Sequence, residues 1–161
     1  LVDQGQTLAV AESCTGGALG AALVARPGAS AFFLGGVQAY SNEAKEHLLG
    51  VPGALIAEYG AVSEPVAVAM AKGARAKFGA DYGVSITGIA GPDGGSEHKP
   101  VGTVYMACDG PLGVLCVRHQ FGRDRTRNLS MGVRSAAQLA LESAVKWGAE
   151  SKPASRVADS L

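Results

Sequence analysis

Apolar runs of strand length alternate with stretches whose apolar residues recur at helical spacing, and glycine or proline separates most of them. Thr7–Glu12 (TLAVAE) is the first expected strand. It runs through Ser13-Cys14-Thr15-Gly16-Gly17 into an alanine-rich helix, Ala18–Arg26, which Pro27-Gly28 stops. Ala31–Tyr40 reads as a second strand, bulged at Gly35-Gly36. Ser41 and Asn42 suit the cap of a short helix, Glu43–Leu49, closed by Gly50. A further helical piece covers Ala54–Tyr59. Ser63 is placed to cap a longer helix with Glu64 and Pro65 in its first turn, and Ala67, Met70, Ala71, Ala74 and Phe78 share one face of it.

Tyr82–Thr87 reads as a buried strand and Gly88–Pro100 as a glycine-rich loop. Val101–Cys108 and Val114–Phe121 form a hairpin turning at Asp109-Gly110-Pro111. The last helix spans about Asp124–Trp147, with Leu129, Val133, Ala137, Ala140, Ala144 and Trp147 as its apolar stripe. The pattern predicts one α/β domain over residues 1–149 and a disordered tail over 150–161, where periodicity is lost. The hairpin breaks the strand–helix alternation, so the sheet should be mixed, mostly parallel with one antiparallel strand.

Composition narrows the function classes. At 161 residues the chain can bury one core without staples. Lys plus Arg and Asp plus Glu are both 14, so no global basic field exists to hold nucleic acid or an anionic membrane. No apolar run is long enough to span a bilayer. Cys14, Cys108 and Cys116 are odd in number and contain no CxxC, which points to a reducing cytoplasm rather than a disulfide framework. The chain begins at Leu1 rather than Met, which leaves room for an upstream domain outside this sequence.

Candidate chemistry concentrates in four segments. In AESCTGG, Ala11–Gly17, a hydroxyl sits where a strand gives way to a helix. The N–H groups of Thr15, Gly16 and Gly17 lie at the positive end of the helix dipole, which suits an oxyanion or a phosphate. Ser13 and Thr15 are equally residues that cap helices, and Cys14 is a rival nucleophile. In Tyr40–Lys45, a lysine in the first turn of a helix feels a dipole and a burial that both disfavour its charge, as a general base toward serine requires. A solvated lysine and a core tyrosine are the plain alternative. Thr87–Gly95, TGIAGPDGG, is neither a Walker loop nor a dinucleotide fingerprint; its glycines suit backbone approach to a ligand or a simple turn. Arg123, Arg125 and Arg127 gather at a helix start where cations do not help the helix, so an anionic partner or a solvated basic edge accounts for them. His47, His98 and His119 have no metal-ligand spacing, and neither SxxK nor GxSxG occurs.

Together these segments resemble the CinA C-terminal domain family, the nicotinamide-nucleotide amidase or PncC-like family. The matching pieces are AESCTGG at Ala11–Gly17, YSNEAK at Tyr40–Lys45, GAVSE at Gly60–Glu64, TGIAGPDGGSEHKPVGTV at Thr87–Val104 and a degenerate F-x-x-D-R at Phe121–Arg125. The resemblance implies a three-layer α/β/α sandwich with strand order 2-1-3-4-5 and strand 4 antiparallel. It implies hydrolysis of the carboxamide of nicotinamide mononucleotide to nicotinate mononucleotide and ammonia, with no metal or organic cofactor. Ser13 would be the nucleophile, Lys45 the base and Tyr40 an assistant. Thr15, Gly16, Gly17, Thr87, Gly88, Gly91 and Arg125 would bind substrate. A homo-oligomer is expected. The family's Gly-Asp-Arg is here Arg123-Asp124-Arg125, and a second arginine found further on is replaced at Leu129 or Ser130, which leaves the phosphate to either Arg125 or the glycine loop. The competing reading is a degenerate module that binds a nucleotide or a protein in competence or DNA damage.

Overall fold

A computed structural model of the chain describes residues 1–150. Five strands form one sheet in the order β2-β1-β3-β4-β5. They are β1 (Leu8–Glu12), β2 (Phe33–Gln38), β3 (Tyr82–Gly88), β4 (Thr103–Gly110) and β5 (Gly113–Gln120). β1 runs parallel to both β2 and β3, and β4 runs antiparallel to β3 and β5. The helices are α1 (Ala18–Val24), α2 (Asn42–Leu49), α3 (Gly53–Tyr59), α4 (Glu64–Phe78) and α5 (Arg125–Glu150). α1 and α5 cover one face of the sheet, and α2, α3 and α4 the other. This is the three-layer sandwich with the expected strand order. The expected tail, apart from Glu150 at the end of α5, lies outside the described residues.

Alternation along β1 builds both cores. Leu8 and Val10 join Leu19, Tyr82, Val84, Met106 and the α5 stripe on one face. Ala9 and Ala11 face Val37, Val66, Met70 and Ala74 on the other. Every β1 residue is buried, as a central strand covered on both faces requires.

Several boundaries differ from expectation for identifiable reasons. β1 starts at Leu8 because the Thr7 N–H and hydroxyl are committed to the Asp81 carboxylate, at 2.7 and 2.8 Å. β2 starts at Phe33 because residues 29–31 form a 3₁₀ turn. It stops at Gln38 because the carbonyls of Ala39, Tyr40 and Ser41 turn toward Lys45. The hairpin is longer at its tip: Gly110 pairs with Gly113, leaving Pro111-Leu112 as the turn. Ser41 caps α2 by accepting the Ala44 N–H at 3.1 Å. Ser63 does not cap α4 with its side chain; its hydroxyl donates to Gly60 O at 2.8 Å instead. Asp124 caps α5, its carboxylate taking the Arg127 N–H at 2.7 Å.

Candidate active site

The parallel strands β1, β2 and β3 end together, and a crevice at such carboxyl ends is where open α/β sheets bind ligands. Ser13 follows β1. Its N–H donates to Ile86 O of β3 at 3.0 Å, so the ladder continues through it. On the other side, Ala39 N–H donates to Glu12 O at 2.7 Å. Glu12 pairs with Gln38, and one further step of that register pairs Ser13 with Ala39. In a continued parallel ladder the Ala39 carbonyl would accept the Cys14 N–H. Lys45 Nζ takes that place, donating to Ala39 O at 3.0 Å. Adjacent strands lie about 4.8 Å apart. The amine and Ser13 therefore occupy the same end of one ladder.

Lys45 is 1 % exposed. Beyond Ala39 O, its Nζ also donates to Tyr40 O at 3.1 Å and Ser41 O at 3.4 Å. Burial disfavours the ammonium and holds the Lys45 pKa below the ordinary lysine value, against smaller upward pulls from Cys14 and Glu43. The three carbonyls act in the opposite sense, because an ammonium has three protons to give them. No hydrogen bond joins Lys45 Nζ to Ser13 Oγ. Ser13 itself is 8 % exposed.

Cys14 is separated from its neighbour by strand parity. It packs with Leu8, Val10 and Leu19 in the α1/α5 core. Burial pushes its thiol up to about 11, so it is a poor source of thiolate. Arg125 and Lys45 both act electrostatically on Cys14 and pull against the effect of burial. Tyr40 is 66 % exposed, while its carbonyl accepts from Lys45 Nζ.

The loop donors are not all free. The Gly17 N–H is taken by the Glu12 carboxylate at 3.1 Å, and the Gly16 N–H by Ser13 O at 3.1 Å. Glu12 also takes the Leu19 and Gly20 N–H groups of α1. The expectation that α1 offers an open N-terminus to an oxyanion or phosphate is thus corrected: a carboxylate of the chain already fills it. Among the described residues, the Thr15 N–H is the one donor of the expected three that meets no acceptor. Glu12 escaped the sequence reading because a glutamate closing a strand looks like a solvated end. The available signal was two glycines able to fold the chain back on it; Gly16 and Gly17 have φ +59 and +104.

The remaining expected binding residues divide. Thr87, one register step past the Glu12–Ile86 pair and so beside Ser13, is buried with its hydroxyl donating to Ala61 O at 2.9 Å, which braces the turn before α4. Gly88 is a packing glycine, since a Cβ there would sit 2.7 Å from Val104 Cγ2. Gly91 has φ +92, and a Cβ would meet Val101 Cγ1 at 2.6 Å. Its carbonyl accepts from Arg125 Nη1 at 2.8 Å, so the loop and the start of α5 are joined at this point. Asn128, buried beside it, donates to Ala90 O and Gly122 O, both at 2.9 Å. Along the loop runs a cleft of about 460 Å³ lined by Pro92, Asp93, Gly95, Glu97, Val101 and Arg123.

The fold is an α/β/α domain in which Ser13 and the Lys45 amine both lie at the ends of its parallel strands. A profile of the CinA C-terminal domain matches residues 1–144, and the chain belongs to that family. A CinA-like protein of Synechococcus sp. (strain CC9902) is 59% identical over 128 residues, covering 80% of this chain and 30% of that protein. A CinA-like protein of Anaeromyxobacter dehalogenans (strain 2CP-1 / ATCC BAA-258) is 55% identical over 127 residues, 79% of this chain and 31% of the other. The chain thus spans about 30% of the length of such relatives. Among solved structures, the competence/damage inducible protein CihA from Agrobacterium tumefaciens is 39% identical with a TM-score of 0.85, covering 88% of this chain and 87% of that one. A CinA superfamily protein from Escherichia coli is 36% identical with the same TM-score of 0.85, covering 88% and 83%.

Proposed function

We propose that residues 1–149 form an amidase domain that hydrolyses the carboxamide of nicotinamide mononucleotide, with Ser13 as nucleophile and Lys45 as base. The observation that carries this reading is the buried Lys45 amine on Ala39 O, the residue in register with Ser13. Family membership supports the substrate class. A neutral amine has two protons and a lone pair, so deprotonated Lys45 releases one of its three carbonyls. The Ser41 contact, at 3.4 Å, is the longest and the first to go. The lone pair then reaches the Ser13 hydroxyl; such contacts commonly tighten only with substrate bound.

Lys45 takes the Ser13 proton as Oγ forms its bond to the carboxamide carbon. The oxyanion is held by the Thr15 N–H. The amide C–N bond breaks, the proton passes from Lys45 to the leaving nitrogen, and ammonia departs. Water then attacks the Ser13 ester under the same base, giving the pyridine carboxylate and free Ser13. Tyr40, exposed beside the Lys45 clasp, orients the pyridine amide. Arg125 holds the phosphate with the part of its guanidinium not spent on Gly91 O. The glycine-loop cleft is the weaker phosphate site, since Asp93 and Glu97 line it with only Arg123 opposing them.

One observation favours the alternative, a binding module without turnover: Lys45 is fully satisfied by backbone carbonyls. Ammonia release from nicotinamide mononucleotide separates the two. Wild type and Cys14→Ala should turn over, and Ser13→Ala and Lys45→Ala should not. A fully active Ser13→Ala would remove the nucleophile, and an inactive wild type would leave the binding module.

A further inference from the structure

Glu12 is the most heavily engaged side chain next to Ser13, and the amidase chemistry above gives it no part. It ends β1 and is 2 % exposed. By strand parity it lies with Leu8 and Val10 on the α1 face, opposite the face that carries Lys45. Oε2 accepts the Gly17 N–H at 3.1 Å and the Leu19 N–H at 2.9 Å, and Oε1 accepts the Gly20 N–H at 2.8 Å. Its own carbonyl accepts the Ala39 N–H at 2.7 Å. One residue thus fastens β2 through its backbone and α1 through its side chain.

Ser13 is enclosed by these bonds. The side chain of Glu12 closes a loop of which Gly17 is the far end, and within it Ser13 O takes the Gly16 N–H. The left-handed glycines Gly16 and Gly17 turn the chain so that the first turn of α1 comes back over the end of β1. The helix has no hydroxyl cap at Gly17, so the carboxylate does the capping from five residues upstream. Its charge is matched to the positive helix end.

We propose that Glu12 is a positioning residue for the Ser13 nucleophile: by clasping the α1 N-terminus it fixes the Ser13–Gly17 loop, and so the angle at which Ser13 meets substrate. This rests on the amidase reading. Glutamine is the informative replacement. It keeps the shape, but its amide nitrogen is a donor where an acceptor is needed, so at least one of the three N–H groups loses its partner. Aspartate keeps the charge but is one methylene too short to span the loop.

The test measures kcat and KM for ammonia release by wild type, Glu12→Gln and Glu12→Asp, each well below its unfolding midpoint. Asp81→Ala serves as a control of similar stability loss, because it removes the 2.7 and 2.8 Å bonds to Thr7 at the opposite end of β1 from the loop. Amide hydrogen exchange at Gly17, Leu19 and Gly20 is followed in parallel. A nucleophile misplaced by about 1 Å loses on the order of a hundredfold in rate. The proposal expects kcat down about ten- to a hundredfold in both Glu12 variants, KM within about threefold, and faster exchange at those amides. Asp81→Ala should keep the wild-type kcat. An active wild type with Glu12→Gln at undiminished kcat overturns the proposal alone. So does an equal fall in Asp81→Ala, which makes the effect one of stability. A wild type that releases no ammonia overturns the amidase reading, and this proposal with it.

Discussion

Replacing Lys45 by methionine separates what its amine does for the fold from what it does for the reaction. Methionine keeps most of the stem and removes Nζ, so three carbonyls lose their donor. The contacts to Tyr40 O and Ser41 O are partly buried, and water can replace the amine there. The contact to Ala39 O is fully buried, and this acceptor is orphaned. An unsatisfied buried acceptor costs about 1–3 kcal/mol. Removing a desolvated charge returns part of this, so the net loss should fall near the lower half of that range. For a chain of this size each kcal/mol moves the midpoint about 2–4 °C. Thermal unfolding followed by far-UV circular dichroism should therefore show a drop of about 2–8 °C. Ammonia release, measured well below both midpoints, should fall by about 10²–10⁴, the range for losing a general base. Lys45→Arg sharpens the comparison: a guanidinium donates to carbonyls yet stays protonated, so it should be as inactive as methionine. A methionine variant as stable as wild type refutes the carbonyl clasp. One that is destabilised but fully active refutes the base.

Three further outcomes follow from the same geometry. Activity should rise with pH through the Lys45 ionisation and be lost below it, because the neutral amine is the base; the midpoint should lie below the ordinary lysine value of 10.5, as burial requires. A flat pH–rate profile across the acid limb contradicts this. Arg125→Gln should raise KM about tenfold or more with a smaller change in kcat, since a charged hydrogen bond is worth about 1.5–3 kcal/mol; an unchanged KM assigns the phosphate elsewhere. Gly91→Ala should lower stability by about 1–3 kcal/mol, from a positive φ and a Cβ pressed against Val101, and an unchanged thermal midpoint would refute the close packing of that loop.

The fold was legible because its signals are redundant. The apolar run of β1, the cap at Ser41 and the α5 stripe each identify an element from local pattern alone, and the hairpin marks the antiparallel strand. The candidate site was legible as residue types but not as connections. The sequence locates Lys45 in the first turn of a helix; it does not reveal that the chain from Ala39 to Ser41 turns three carbonyls onto that amine. That depends on where β2 ends, which propensity cannot fix to one residue. The open helix end expected after Ser13 is closed by Glu12 for a similar reason: the bonds span five to eight residues across two left-handed glycines, a geometry no periodicity records. Thr87 borders the glycine loop, and the sequence does not reveal that tertiary packing engages its hydroxyl with Ala61.

The central claim is a covalent one, and rapid acid quenching of the protein mixed with nicotinamide mononucleotide, followed by peptide mass spectrometry, tests it most directly. The account predicts a pyridine acyl ester on the peptide carrying Ser13, absent in Ser13→Ala and slow to form in Lys45→Met. An adduct on Cys14, or ammonia released at the wild-type rate by Ser13→Ala, would contradict it.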